Sequence, residues 1–200
     1  HMQRDYAYTV SRKASLLQSA SAVGIDAAKA TVDRLGARKI NTANVPVLLH
    51  RDIASSLFGH YVGAISGGSL YRRSSFLLDS LGKQVFPEWL NIEERPFIKG
   101  GLASSSFDNE GVACSDMTIV EAGQLATYRY TTYSSRKLNT RSNGHAGGIH
   151  NWLVGDTGQS DAELLKEMGT GLFVTELMGQ GVNGVTGDYS RGAAGYWVEN

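Results

Sequence analysis

The stretch GLFVTELMGQGVNGVTGDYSRGAAGYWVEN, residues 171–200, sets short apolar runs on either side of a glycine-rich connection. Glycine reaches backbone conformations that other residues avoid, so runs punctuated in this way read as antiparallel strands with bulges and tight turns. CSDMTIVEAGQLATYRYTTYS (114–134) repeats the theme, with two strand-like runs about EAGQ and Gly123 supplying a hairpin turn. Between them SDAELLKEM (160–168) opens with Ser160 three residues before Glu163, the spacing of a capping box, and sets Leu164, Leu165 and Met168 along one short helix. Strands that pair by hairpins, with a few helices inserted, predict an α+β fold with a largely antiparallel sheet rather than a doubly wound one.

The first half adds fewer strands. RDYAYTVS (4–11) alternates, with Tyr6, Tyr8 and Val10 on one side, as a half-buried strand does. SAVGIDAAKATVDRLGARK (21–39) predicts a helix that aligns Val23, Ala27, Ala30 and Leu35 and ends on basic residues. VPVLL (45–49) reads as a short buried strand with Pro46 near its start, and residues 52–65 as a helix that runs into a glycine loop. His1 and Met2 read as a cloning scar, which leaves residues 3–200 as one domain. GYWVEN (195–200) stops on a turn-forming Asn after a strand-like run, as a truncated domain of a longer chain would.

Composition narrows the function. Nineteen Lys and Arg balance nineteen Asp and Glu, so the sequence carries no electrostatic footprint for the phosphate backbone of nucleic acid. No apolar run approaches the roughly 20 residues of a membrane helix, and the one cysteine, Cys114, has no partner for an internal disulfide, which points to a cytoplasmic protein. With no basic residue beside it in sequence, Cys114 reads as an inert side chain at the start of a strand. Glu93 with Glu94, and Asp108 with Glu110, lie in polar, loop-like surroundings and read as solvated surface carboxylates.

Two stretches hold candidate chemistry. In SSLFGHYVGAISGG (55–68) a helix presents Gly59 and His60, but a helical zinc peptidase site needs two histidines and a glutamate. Ser55 and Ser56 stand five and four residues before His60, and neither hydroxyl serves as a zinc ligand or a general base. His50 lies ten residues before His60, almost three turns along the same helix. GAISGGS (63–69) lacks the lysine–serine or lysine–threonine pair of a phosphate loop and reads as a crowded turn. In GHAGGIHN (144–151) His145 and His150 flank glycines in a loop, with no carboxylate or cysteine in the motif to complete a metal shell. A structural loop, or one that turns its imidazoles to a peptide groove or subunit interface, fits better.

LFGHYVGAISGGSLYRRSSFLLDSLGKQ (57–84), GLASSSFDNEGV (101–112), SNGHAGGIHNW (142–152) and KEMGTGLFVTELMGQGVNGVTGDYSRGAAGYWVEN (166–200) occur in this order. Together they resemble the C-terminal part of the PmbA, or TldE, branch of the TldD/PmbA family, once named modulators of DNA gyrase. The TldD branch carries an H-E-x-x-x-H helix and a later cysteine ligand for zinc. The resemblance puts Ser55 at the first histidine of that motif, Ser56 at the glutamate and His60 at the second histidine, so the zinc motif is degenerate here. It implies a chain with no catalytic or metal-ligating residue and no cofactor of its own. It would be paired in the cytoplasm with a zinc-bearing TldD-type metalloprotease subunit that cuts unfolded peptides, in microcin maturation and antitoxin degradation. Gly59, His60, His145 and His150 would line the peptide groove or the interface. The alternatives are an independent metal-dependent peptidase using His60 with His145 or His150, and a non-enzymatic protein that modulates gyrase.

Overall fold

The computed structural model describes residues 2–199. They form two compact units, residues 2–44 with 99–102 and residues 45–98 with 103–199.

In the smaller unit a 3₁₀ turn at Ala14–Leu16 precedes helix α1, Ala20–Asp33. Ser19 caps α1, its hydroxyl accepting the Ala22 N–H at 3.1 Å, and thereby satisfies one of the orphan donors of the first turn. No residue of α1 is buried, and Ile25 and Val32 face solvent. The strand expected over 4–11 does not form, although the alternation is present, with Tyr6, Tyr8 and Val10 exposed and the residues between them half-buried. Alternation makes a strand only where a neighbouring backbone pairs with it. Instead this segment is tied down by Arg34, whose Nη1 donates to the Arg4 carbonyl at 3.1 Å and meets Asp5 Oδ2 at 3.3 Å. Met2 is exposed, and His1 lies outside the described residues.

The larger unit carries two sheets. Strand β1 (Val47–Leu49) leads through the cap residue His50 into α2 (Arg51–Ala64), and a two-residue break, Ile65 and Ser66, leads to α3 (Gly67–Tyr71). Strand β2 (Ile92–Glu94) is followed by the hairpin β3 (Met117–Glu121) and β4 (Gln124–Leu125), then α4 (Thr132–Lys137) and β5 (Trp152–Val154). Helix α5 (Asp161–Met168) and the long pair β6 (Gly171–Met178) and β7 (Gly192–Val198) close the chain. The four-stranded sheet has the order β4-β3-β2-β5 and is antiparallel throughout. In the three-stranded sheet, ordered β1-β6-β7, β6 runs antiparallel to β7 with a bulge between Val174 and Glu176. β1 is parallel to β6, which the long connection between them allows. The fold is therefore α+β and mainly antiparallel, as its runs of strands and glycine turns predict.

The core lies on the four-stranded sheet. Ile92 from β2, Ile119 and Val120 from β3 and Leu125 from β4 are closed off from water, together with Ile65 at the end of α2, and Tyr61, Leu70, Leu77 and Tyr128 pack around them. Tyr128 is wired into this core by its hydroxyl, which donates to the Leu77 carbonyl at 2.5 Å and accepts the Ser80 N–H at 2.8 Å. Glycine is required at the β3–β4 turn. Ala122 and Gly123 both take positive φ, 47° and 75°, and a Cβ on Gly123 would run into Gln84 Nε2 and the Phe86 and Pro87 carbonyls. None of the helices among the described residues is long and apolar enough to cross a membrane.

Candidate functional site

Strand β2 ends at Glu94, whose side chain turns inward and is 1% exposed. A buried carboxylate persists only where donors replace its water. Glu94 Oε1 accepts His145 Nε2 at 2.9 Å, His150 Nδ1 at 2.6 Å and the His150 backbone N–H at 3.1 Å, and Oε2 accepts Trp152 Nε1 at 2.5 Å. Burial by itself would push this carboxyl up. The hydrogen bonds and charge of His145, with those of Trp152 and His150, outweigh it and hold the pKa down to about 2. The surface carboxylate expected at 94 is thus the centre of a buried network. Glu93, the next residue along the alternating strand, points outward and pairs with Arg95 at 2.6 Å.

His145 has an acceptor on both sides. Its Nδ1 lies 3.0 Å from Asn143 Oδ1, and that amide cannot be turned round, because Oδ1 accepts the Tyr130 N–H at 2.7 Å while Nδ2 donates to the Tyr128 carbonyl at 2.8 Å. Both ring nitrogens of His145 thus have an acceptor within hydrogen-bond distance, Asn143 Oδ1 on one side and the Glu94 carboxylate on the other. His150 spends its Nδ1 proton on Glu94, which leaves Nε2 to meet Cys114 Sγ at 3.2 Å.

The second pin of this loop is Asp108, also buried. Its Oδ1 accepts the Glu110 and Val112 N–H groups at 2.9 and 3.0 Å, and its Oδ2 accepts that of Ala146 at 2.9 Å. Burial raises its pKa, but the three backbone donors win and lower it. Gly147, at φ 102°, lies so close to the Asn109 amide that a Cβ would overlap it. The expectation of solvated carboxylates at 108 and 110 holds for exposed Glu110 and is corrected for Asp108.

Cys114 Sγ, His150 Nε2 and Glu94 Oε1 stand in the order of nucleophile, base and orienting carboxylate. Burial first, then the negative charges of Asp108 and Glu94, push the thiol up, and it is 7% exposed. A thiol whose pKa is raised in this way is a weak nucleophile. Cys114 precedes β3 rather than opening it, and the basic neighbour that its local sequence lacks comes from 36 positions away.

Metal-ligating side chains come together in one place among the described residues, where donors of Glu94, His145 and His150 lie within 4.8 Å of one another. Around a tetrahedral zinc with bonds of about 2.0–2.1 Å, ligand atoms stand roughly 3.3 Å apart. Glu94 Oε1 is closer than that to both imidazoles, at 2.9 and 2.6 Å, the spacing of hydrogen bonds. As placed, the three residues form a hydrogen-bonded lock between β2 and the loop that carries His145 and His150.

The other candidates lie on α2. His50 Nδ1 caps the helix, accepting the Asp52 N–H at 3.3 Å, and its ring packs on Phe173. Ser55 and Ser56 are exposed, and their hydroxyls donate back to the carbonyls of Asp52 at 3.3 Å and Ile53 at 2.6 Å. His60, one helical turn beyond Ser56, meets the edge of Tyr189, with ring centroids 5.9 Å apart. It does not join the buried cluster. Instead Gly59, His60, Leu57, Phe58 and Tyr61 form one wall of a cleft of about 510 Å³, closed by Phe76, Leu77 and Phe86 and by Val182, Gly187 and Tyr189 of the β6–β7 connection. The Phe76 N–H donates to the Gly184 carbonyl at 3.0 Å and holds that connection over the cleft. His145 and His150 are buried, at 4% and 8% exposed, so their rings face Glu94 and not this cleft.

Comparison with known proteins gives one answer. Residues 42–200 match the PmbA/TldA metallopeptidase C-terminal domain. The chain is 58% identical over 199 residues to metalloprotease PmbA of Escherichia coli O157:H7 and 57% identical over 201 residues to a metalloprotease PmbA homolog of Haemophilus influenzae, covering 100% of this chain and 44% of each relative. It therefore spans less than half the length of the curated relatives it matches. A crystal structure from Thermotoga maritima, described as that of a modulator of a DNA gyrase, shares 31% identity and superposes with a TM-score of 0.89 over 98% of this chain and 47% of its own. TldE from Thermococcus kodakarensis shares the fold, with a TM-score of 0.63 and 21% identity over 78% of this chain and 39% of its own.

Proposed function

The chain belongs to the PmbA/TldD metallopeptidase family, as a C-terminal domain, and on that premise we propose that it is the peptide-binding, non-catalytic partner of a TldD-type metalloprotease subunit. One observation carries this reading. At the helix positions where the resemblance to the TldD branch calls for a histidine and a glutamate, Ser55 and Ser56 satisfy their hydroxyls on their own helix, and His60 turns to Tyr189. A hydroxyl bonded to the carbonyl three residues back neither holds a cation nor takes a proton from water. In this reading the metal and its general base belong to the partner, and this chain contributes a wall of the peptide groove.

The cleft beside α2 suits that role. Its volume of about 510 Å³ falls in the range of small-ligand sites, which run to about 300–1,000 Å³. Its lining is mainly aliphatic and aromatic, with His60 and Tyr189 as the polar edge. A cleft of this kind takes the bulky apolar side chains that an unfolded peptide exposes and a folded protein hides. In PmbA-type biology the substrates would be a peptide microcin precursor and an unfolded antitoxin, in the cytoplasm.

The test is metal content with partner dependence. Purified protein dialysed against a weak chelator should carry far less than one zinc per chain by elemental mass spectrometry. It should cleave an unfolded peptide only when mixed with a TldD-type protein, with which it co-purifies. Close to one zinc per chain, lost on His60→Ala, would overturn the reading in favour of an independent metallopeptidase.

A further inference from the structure

The surface where α3 meets α4 carries cations that form no ion pair among the described residues. Tyr71, at the end of α3, and Tyr133, in the first turn of α4, meet edge to face with ring centroids 5.6 Å apart. The Arg72 guanidinium lies 5.3 Å from the centre of the Tyr71 ring, and its Nη1 reaches the Tyr71 hydroxyl at 3.4 Å. The Lys137 ammonium lies 5.6 Å from the centre of the Tyr133 ring. Arg73 and Arg136, next to these two in sequence, are also exposed. Among the described residues none of these four cations makes an ion pair, whereas Arg95 holds Glu93 and Asp116, and Arg51 holds Asp161. The chain as a whole has no net charge, so this cluster is a local excess and not a property of the composition.

Helix electrostatics explain part of it. Arg72 follows the last residue of α3, and Arg136 and Lys137 close α4, where cations complement the negative helix end. That does not require a half-buried Tyr71 and an exposed Tyr133 arranged to hold a guanidinium and an ammonium over their rings. Cation–π contacts fix long side chains that would otherwise sweep through solvent, so both charges are held in place without an ion-pair partner among the described residues. Hydrogen bonds from Arg72, and from Tyr133, also lower the Tyr71 phenol.

We propose that the α3–α4 surface centred on Arg72 and Lys137 docks an acidic peptide segment. Carboxylates spaced along an extended chain would meet Arg72, Arg73, Arg136 and Lys137 without disturbing the fold. Nucleic acid fits less well, because bases stack on free aromatic faces and here a cation covers a face of each ring. Four cations also make a short track for a phosphate backbone. The inference is independent of the metal reading, since neither Tyr71 nor Tyr133 lines the α2 cleft.

The test is fluorescence anisotropy on the full-length protein. The probes are a labelled glutamate-rich peptide, its glutamine counterpart and a single-stranded oligonucleotide of matching length. The glutamate peptide should bind, the glutamine peptide should not, and raising salt from about 50 mM to about 300 mM should weaken binding. Arg72→Glu with Lys137→Glu should weaken it roughly tenfold or more. Arg72→Gln with Lys137→Gln, which removes these two charges without reversing them, should lie between parent and reversal. The proposal is overturned if the glutamate peptide does not bind, if glutamine binds equally, if the oligonucleotide binds more tightly, or if both double variants keep parental affinity with an unchanged thermal midpoint.

Discussion

Glu94 shows how much one side chain can organise. Its carboxylate collects four donors from three residues, His145 and His150 of one loop and Trp152 at the start of β5, and joins that loop to β2. Replacing it with Gln removes the buried carboxylate that His145 and His150 face, and breaking a buried pair from one side costs about 3–5 kcal/mol. Urea unfolding at neutral pH should show that loss for Glu94→Gln. The acid side follows by linkage. The folded pKa of about 2 lies below the ordinary value of 4.5, so the stabilisation is complete above pH 4.5 and disappears as pH falls from there towards 2. On the order of 2–3 kcal/mol of the parent's stability should vanish across that window, and the slope should flatten in Glu94→Gln. None of this was legible locally. Glu94 sits between Glu93 and Arg95 in a polar run, and His145, 51 positions away, sits in a glycine-rich loop. Each reads as surface until the sheet and the loop are folded together.

At the scale of elements, local chemistry and tertiary partners separate cleanly. The capping box of α5 is wholly local, with Glu163 N donating to the Ser160 hydroxyl and Glu163 Oε2 accepting the Ser160 N–H at 2.8 Å, and it reads directly from the sequence. Ser160→Ala should cost about 1 kcal/mol in thermal unfolding. The β3–β4 hairpin is legible for the same reason. Gly123→Ala should cost more than the about 1–2 kcal/mol of left-handed strain, because its Cβ also meets the Phe86 and Pro87 carbonyls, and calorimetry of the variant checks it. The segment 4–11 is the counterexample, in which period-two alternation survives as alternating exposure with no ladder to make it a strand.

For the molecule as a whole, the core on the four-stranded sheet and the α2 cleft are the two features that matter. Ile119→Ala, at a position closed to water, should destabilise by about 2–5 kcal/mol without changing any polar contact of the Glu94 network. Substituting Tyr189→Ala or Phe76→Ala should enlarge the cleft and weaken peptide cleavage by the proposed pair, with only a small fall in thermal midpoint because each side chain keeps 40–46% of its surface in solvent. An unchanged cleavage rate would remove the cleft from the peptide path. By itself the sequence determined the α+β class, the hairpins and the α5 capping box, since each follows from residues within a few places of one another. Only the tertiary structure decided that β1 pairs with β6, that His60 faces a cleft while His145 and His150 face the core, and that Glu94 and Asp108 are buried. Burial and ionic partnership are long-range quantities. A carboxylate's environment depends on which distant donors the fold carries to it, and a period along the chain does not encode that.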